Sequence, residues 1–446
     1  MRSPIVRIVT TTDLIGSIFP QRTSYGGLAG GGALARTVQE LSDHRWPTVW
    51  IDTGDLTQGN PLGPLTDGVA GFVCAASFDI DAVTLGNHEL DWGLDHLQTW
   101  AREFGCPVLA ANGSFGFAAT TMLERDDWTI GVLGLTQPQL HLLHPEHEVD
   151  RDPVRCIRHH AKDLTRAGAD IVVLALHDGV DLGVASGGPC MNPTRMARLC
   201  EQIVDYVDVV LGGHTLGRHV GKLGGVSYVQ PWPLGREVGV ADVHRDGTAR
   251  LSTVEVRGPE PWRGFGARAF EALAGEIVGE LGAPLANQLG GRLELGQLVA
   301  DGLVGYGNDI DLALLAPLDL WNQPPCDGVL AHLPAGPVSR AQILRLLPQS
   351  GGRSVFGGQL LMGEVDARQV PSLIRGFASS PQYEGGPPVG VPAVAKRDHR
   401  RRTSRVAIPA FHRGRADSVL RSDVAWRPIE DLSLRDGLIA ALEHPT

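Results

Sequence analysis

Short apolar runs in this chain end, one after another, in clusters of Asp, Asn, His and Gly. That repeated pairing constrains the fold more than any other feature. Ile5–Thr11, Thr48–Asp52, Ala82–Leu85, Pro107–Ala110, Thr129–Leu135, Ile171–Leu176 and Val207–Leu211 each have the length and β-branched content of a buried strand. Amphipathic stretches lie between them: Ala33–Leu41, Leu94–Phe104, Arg155–Arg166 and Thr194–Val204. Strand and helix in alternation predict an α/β sheet packed by helices, with ligand-bearing loops at the carboxyl ends of the strands. The polar clusters stand at those ends.

The pattern breaks near Val256–Arg268 into Gly, Pro and Trp, the composition of a linker, and a helical stretch, Ala269–Leu281, follows. A second α/β portion starts near Leu293. We therefore expect a first domain over 1–257, a linker with a helix over 258–290 and a smaller domain over 291–446. This fits the length of 446 residues. Charge divides at the same seam. Up to Arg257 there are 30 acids and 20 bases, and beyond it 20 acids and 19 bases, so nearly all of the net −11 lies in the first domain. An acidic surface repels phosphate polymers, which argues against a nucleic-acid partner. No apolar run is long enough to span a bilayer, and the N-terminal residues lack the apolar core of a signal peptide. The six cysteines are scattered without metal-type spacing and read as buried thiols in a reducing compartment. The expectation is a cytoplasmic protein with no membrane partner. Oligomeric state is not legible.

Five strand-end motifs carry the chemistry: Thr12-Asp13-Leu14-Ile15-Gly16, Gly54-Asp55, Gly86-Asn87-His88-Glu89-Leu90-Asp91, Leu176-His177-Asp178-Gly179 and Gly212-Gly213-His214-Thr215-Leu216. Carboxylate and amide oxygens suit hard divalent cations, and imidazole suits Zn, Fe, Mn or Ni. Ordinary turn chemistry competes with this reading, because Asp and Asn favour loops in any case. A lone Gly-Asp or His-Asp pair proves nothing. Five motifs in this order are far more specific.

In these motifs the chain resembles the 5′-nucleotidase branch of the calcineurin-like metallophosphoesterases. The resemblance extends through Val226–Trp232 and Leu295–Asp301 into the C-terminal half. It implies an α/β fold: a sandwich of two β-sheets flanked by helices that holds two metal ions, with a smaller C-terminal α/β domain for the substrate. It implies that Asp55, Asn87, His177 and His214 hold one divalent ion (Mn, Zn, Fe, Mg or Ni), with Asp55 bridging to the second. It also implies that His88 and Asp91 are the catalytic pair, the imidazole facing the phosphoryl group and the carboxylate orienting it.

The first of the two ion sites departs from the family pattern. Asp13 is present, but Ile15 and Leu216 stand where two histidines belong. Both absent ligands serve one ion, so we read them as a single change that leaves one tight ion; His219 is a candidate substitute in a reshaped loop. The substrate domain departs too. The family's Gly-Gly-x-Arg loop has no counterpart in Leu315–Trp321, and Pro387 stands at one of the two base-stacking positions. Phe411 matches the other, and is as compatible with a core aromatic. The run Lys396–Arg405 could lend positive charge to a substrate site, although such runs are usually solvated loops. His141, His144 and His147 form a tempting cluster, but Pro145 breaks helical spacing and a solvated loop is expected. The leading reading is a metal-dependent phosphoester hydrolase acting on a nucleotide or another small phosphorylated molecule. The alternatives are a ligand-binding pseudoenzyme on the same fold and a hydrolase of a thiosulfonate-type ester.

Overall fold

The structure is a computed structural model. It describes residues 6–20, 28–42, 46–56, 66, 68–140, 144, 146–185, 188–244, 246–264, 267–288, 293–306, 309–315, 329–340, 342–343, 359–378, 393–396, 402–409, 413–421 and 424–443.

Two six-stranded sheets form the first half. The first runs in the order Ala249–Glu255, Glu237–Val243, Val6–Thr11, Thr48–Asp52, Ala82–Thr84 and Val108–Leu109. Its last four strands are mutually parallel. The second runs His219–Leu223, Val226–Gln230, Val209–Leu211, Ile171–Leu176, Trp128–Leu135 and Thr120–Arg125, with a parallel centre.

Side-chain alternation explains how the sheets stack. Along Ile171–Leu176, Ile171, Val173 and Ala175 face one way, toward Ile8, Val49 and Ile51 of the other sheet. Val172, Leu174 and Leu176 face the other way, onto Ile157 and Leu164 of the helix Pro153–Arg166 and Met196 and Ile203 of Thr194–Ile203. On the first sheet Val9, Trp50 and Val83 likewise meet the helices Gly31–Leu41, Val69–Ser77 and Leu94–Glu103. A period of two with both faces apolar requires cover on both sides. The result is the expected two-sheet sandwich flanked by helices.

The second half has its own five-stranded sheet, ordered Ala393–Lys396, Leu312–Leu315, Thr403–Pro409, Gln359–Asp366 and Arg427–Ser433. Helices Glu294–Tyr306 and Leu434–Glu443 pack on one face, and Val370–Ala378 and Arg413–Leu420 on the other. The described residues of the segment 258–290 are divided between the two cores. Trp262 is buried in the first core and donates through Nε1 to Ser77 at 2.8 Å. The helix ends earlier than its pattern predicts: it spans Ala267–Ala274, and Ile277–Leu281 is a strand paired with Gly336–Ser339. Val278, Leu281 and Leu285 pack on the second core. Among the described residues no helix is long and apolar enough to cross a membrane. Cys74, Cys106, Cys156 and Cys200 are free and buried.

Candidate metal centre

The carboxyl ends of the parallel strands in both sheets open onto one place. Loops after Val6–Thr11 and Thr48–Asp52 are laced together by backbone bonds from Asp13 N to Gly54 O and from Ile15 N to Asp55 O, both 2.9 Å. Glycine is required where this lacing is tightest. Gly54 has φ 99°, and a Cβ on Gly86 would sit 2.2 Å from Asp55 Oδ1. Six non-glycine residues at this end of the molecule also have left-handed φ: Asp13, Ile15, Asp55, His214, Leu216 and Leu234. A β-branched residue such as Ile15 at φ 47° is a true outlier, and strain of this kind collects at functional sites.

Four of the expected ligands converge. Asp55, His177 and His214 present ligand atoms that all lie within 4.8 Å of one another. His177 Nε2 is 3.2 Å from Asp55 Oδ2 and 3.1 Å from Asn87 Oδ1. Its Nδ1 donates to Thr53 O at 2.6 Å, which turns Nε2 inward as the free donor atom in the neutral ring. Asp13 joins from the side. Its Oδ2 accepts from His214 N at 2.8 Å and from the Thr12 hydroxyl, while its Oδ1 is buried without a hydrogen-bond partner.

The electrostatics favour positive charge at this point. Burial raises the Asp13 carboxyl to about 6, against the pull of His177 and with help from Asp55. Burial opposes charge on His177 as well, yet the Asp55 and Asp13 carboxylates outweigh it and raise that imidazole to about 10. His214 is lowered to about 4 by burial and by the charge on His177. Asp55 is held low: burial would raise it, and His177 and His88 overcome burial. A proton on His177 thus supplies charge where the donor set suits a divalent cation. The residues fit such an ion: two imidazoles, a carboxylate and an amide oxygen, with an orphaned carboxylate oxygen nearby.

His88 and Asp91 stand beside this group. His88 Nδ1 lies 2.9 Å from Asp91 Oδ2, and His88 N donates to Asp55 Oδ1 at 3.0 Å. Burial works against charge on His88, but Asp91 and then Asp55 raise it to about 9.

The place expected for a second ion is apolar. Ile15 and Leu216 are buried, 4% and 8% exposed, and form one cluster with Leu28 and Leu234. His219 does not fill the gap. It lies in the strand His219–Leu223, its ring edge-on to Tyr228 at 5.7 Å, and it belongs to no metal-competent group among the described residues. The other such group, His159, His160 and Asp163, sits on the outer face of a helix. Phe411, Pro387 and residues 316–321 and 397–401 lie outside the described residues. Of the basic run, Arg405 is committed to Asp309 and Asp311.

Several residues that hold the site have no local signal. Glu89 lies within the Gly86–Asp91 motif, and the motif alone gives it no role. Its buried carboxylate accepts from Asp55 N (3.0 Å), Leu56 N (2.7 Å) and Gly86 N (2.8 Å). Gln137 donates to Asn87 Oδ1 at 3.1 Å. Arg195 grips Asp178 through both guanidinium nitrogens at 2.6 and 2.7 Å, bracing the loop after His177.

The model of the calcineurin-like phosphoesterase family matches residues 6–218. Nearly half of the chain is thus similar to a calcineurin-like phosphoesterase domain. Asp13, Asp55, Asn87, His177 and His214 all lie within the matched residues. Among curated relatives, the trifunctional nucleotide phosphoesterase YfkN of Bacillus subtilis is 24% identical over 283 residues, 53% of this chain and 19% of that protein. The chain spans 19–43% of the length of the first curated relatives it matches. The fold likeness is wider. A 5′-nucleotidase precursor from Thermus thermophilus superposes with TM-score 0.74 at 18% identity, over 98% of this chain and 96% of that one. The sulfate thiohydrolase SoxB of the same species gives 0.73 at 15% identity, over 99% and 94%. The matched residues and the C-terminal half together therefore share the fold of whole 5′-nucleotidase structures.

Proposed function

We propose that this chain is a metal-dependent phosphoester hydrolase that works with one tightly held divalent ion on a nucleotide or another small phosphorylated molecule. The convergence of Asp55, His177 and His214 beside the His88–Asp91 pair, within the residues similar to a calcineurin-like phosphoesterase domain, carries this reading. Asp55, Asn87, His177 and His214 would hold the ion. An ion bound there supplies Lewis-acid polarisation of a phosphoryl oxygen and acidifies water.

The remaining work falls to the chain's own side chains. Asp91 accepts from Nδ1 of His88 and so orients that imidazole for general acid–base work on an incoming oxygen. Thr53 and Gln137 keep His177 and Asn87 in their donor orientations. Ile15 and Leu216 replace two ligands of the family's other ion with an apolar surface, which leaves Asp13 with a single hydrated ion at most.

The test is a screen of nucleotides and simple phosphomonoesters with added Mn²⁺, Mg²⁺, Zn²⁺ or Ni²⁺, with His88→Ala as control, alongside elemental analysis of bound metal. We expect hydrolysis that drops about 10²–10⁴-fold in His88→Ala, one ion per chain in the wild type, and more than one in Ile15→His/Leu216→His. Two tight ions in the wild type would remove the single-ion reading. No hydrolysis with any ion would leave a ligand-binding protein.

A further inference from the structure

His144 is buried, at 4% exposure, which corrects the expectation of a solvated position for that residue; His141 and Pro145 lie outside the described residues. His144 Nε2 lies 3.6 Å from Asp91 Oδ1. The other oxygen of the same carboxylate, Oδ2, is the one bound to His88 Nδ1 at 2.9 Å. One buried carboxylate therefore stands between two buried imidazoles, one on each oxygen.

The backbone sets this arrangement. His144 N donates to Leu140 O at 2.8 Å and His147 N to His144 O at 3.0 Å, beyond the strand Trp128–Leu135. Leu140 is fully buried in the same core as Leu90 and Trp92, which flank Asp91. On its outer side His144 Nδ1 faces Glu146 Oε1 at 3.4 Å, so the line ends on an exposed carboxylate.

We propose that His144 is a positioning residue: it fixes the second oxygen of Asp91 and through it the ring plane of His88. The proposal rests on the reading of His88 and Asp91 as the catalytic pair. A carboxylate held through one oxygen can rotate about its Cβ–Cγ bond, and the imidazole it orients follows. A buried imidazole packed 3.6 Å from the other oxygen restricts that rotation. Buried polar chains become rigid when each member has a partner.

The test uses the full chain labelled with ¹⁵N-histidine and two variants of similar volume, His144→Gln with a donor and His144→Leu without one. The readout is the His88 Nδ1 proton resonance, assigned by its loss in His88→Ala. We expect the resonance to persist in His144→Gln and to broaden or shift in His144→Leu. With Mn²⁺ and a phosphomonoester, kcat should fall about tenfold in His144→Leu and recover in His144→Gln, with KM moving less than about twofold. Equal behaviour of the two variants, or equal damage from His147→Ala, would overturn the proposal. If the wild type hydrolyses no phosphoester, the functional reading fails, and the proton resonance still decides the role of His144.

Discussion

Glu89 offers a direct test of how the metal loops are held. Its carboxylate takes three backbone N–H groups, those of Asp55 and Gly86 on Oε2 and that of Leu56 on Oε1. Glu89 and Asp55 are buried, so no water replaces a lost acceptor. Glu89→Ala strands three donors at about 1–3 kcal/mol each, or about 3–9 kcal/mol in all, a large part of a domain's stability. Glu89→Gln keeps one oxygen. Placed at Oε2 it serves two of the donors, and its NH₂ then faces Leu56 N–H, so the loss is about 1–3 kcal/mol. Urea unfolding followed by tryptophan fluorescence, at pH 8 and with chelator present to exclude stabilisation by bound metal, should rank wild type above Gln and Gln above Ala. The Gln loss should be roughly a third of the Ala loss. If both variants lie within about 0.5 kcal/mol of wild type, the loops are not held by this carboxylate and the reasoning fails.

Other outcomes follow from the same geometry. Gly86→Ala would place a Cβ 2.2 Å from Asp55 Oδ1 and 2.4 Å from Asp55 N. Calorimetric titration with Mn²⁺ should show affinity reduced by at least about tenfold; unchanged affinity would mean the loop has room. Burial raises Asp52 from 3.8 to about 8. Between those values the folded chain keeps a proton that the unfolded chain has released, so this group's effect on wild-type stability falls as pH rises, by up to about 1.4 kcal/mol per unit. Asp52→Asn lacks that slope and should gain in melting temperature relative to wild type from about pH 5 to pH 8; parallel curves would refute it. Arg195→Ala leaves the buried Asp178 carboxylate without its clamp and should cost about 1–3 kcal/mol, with lysine restoring only part because it cannot bind both oxygens. Full rescue by lysine would show that charge alone matters there.

The parts of the fold that were legible are those decided by local pattern. Thr48–Asp52 and Ile171–Leu176 form strands with the expected bounds, because an apolar run of that length flanked by polar turns has few other uses. The stretch Ala269–Leu281 misled because its amphipathic spacing continues past Ala274. Residues 277–281 instead find a strand partner some sixty residues downstream, a pairing that no local window contains. The same limit applies at the site. Asp55, Asn87, His177 and His214 were legible because each closes a strand, whereas Gln137, Arg195 and the burial of His144 depend on what the fold sets against them. His144, next to Pro145 in sequence, is tied into the core by its backbone bond to Leu140 O.

Ile15 and Leu216 show why a pair of departures can carry more information than either alone. Each lies two residues beyond a group of the site, Asp13 and His214, and those two are joined by a 2.8 Å hydrogen bond from His214 N to Asp13 Oδ2. The loops are therefore pressed together at that point, and the side chains two positions on share one place. All four occupants of that place, Ile15, Leu28, Leu216 and Leu234, are apolar and buried. A single histidine among the other three would bury an imidazole with neither ion nor partner, at a cost of about 1–3 kcal/mol. Two histidines together could share an ion and escape that cost. The substitutions Ile15→His and Leu216→His should therefore couple far more strongly when metal is present than when it is chelated. That difference would separate a site that has lost its ion from one that has merely exchanged its ligands.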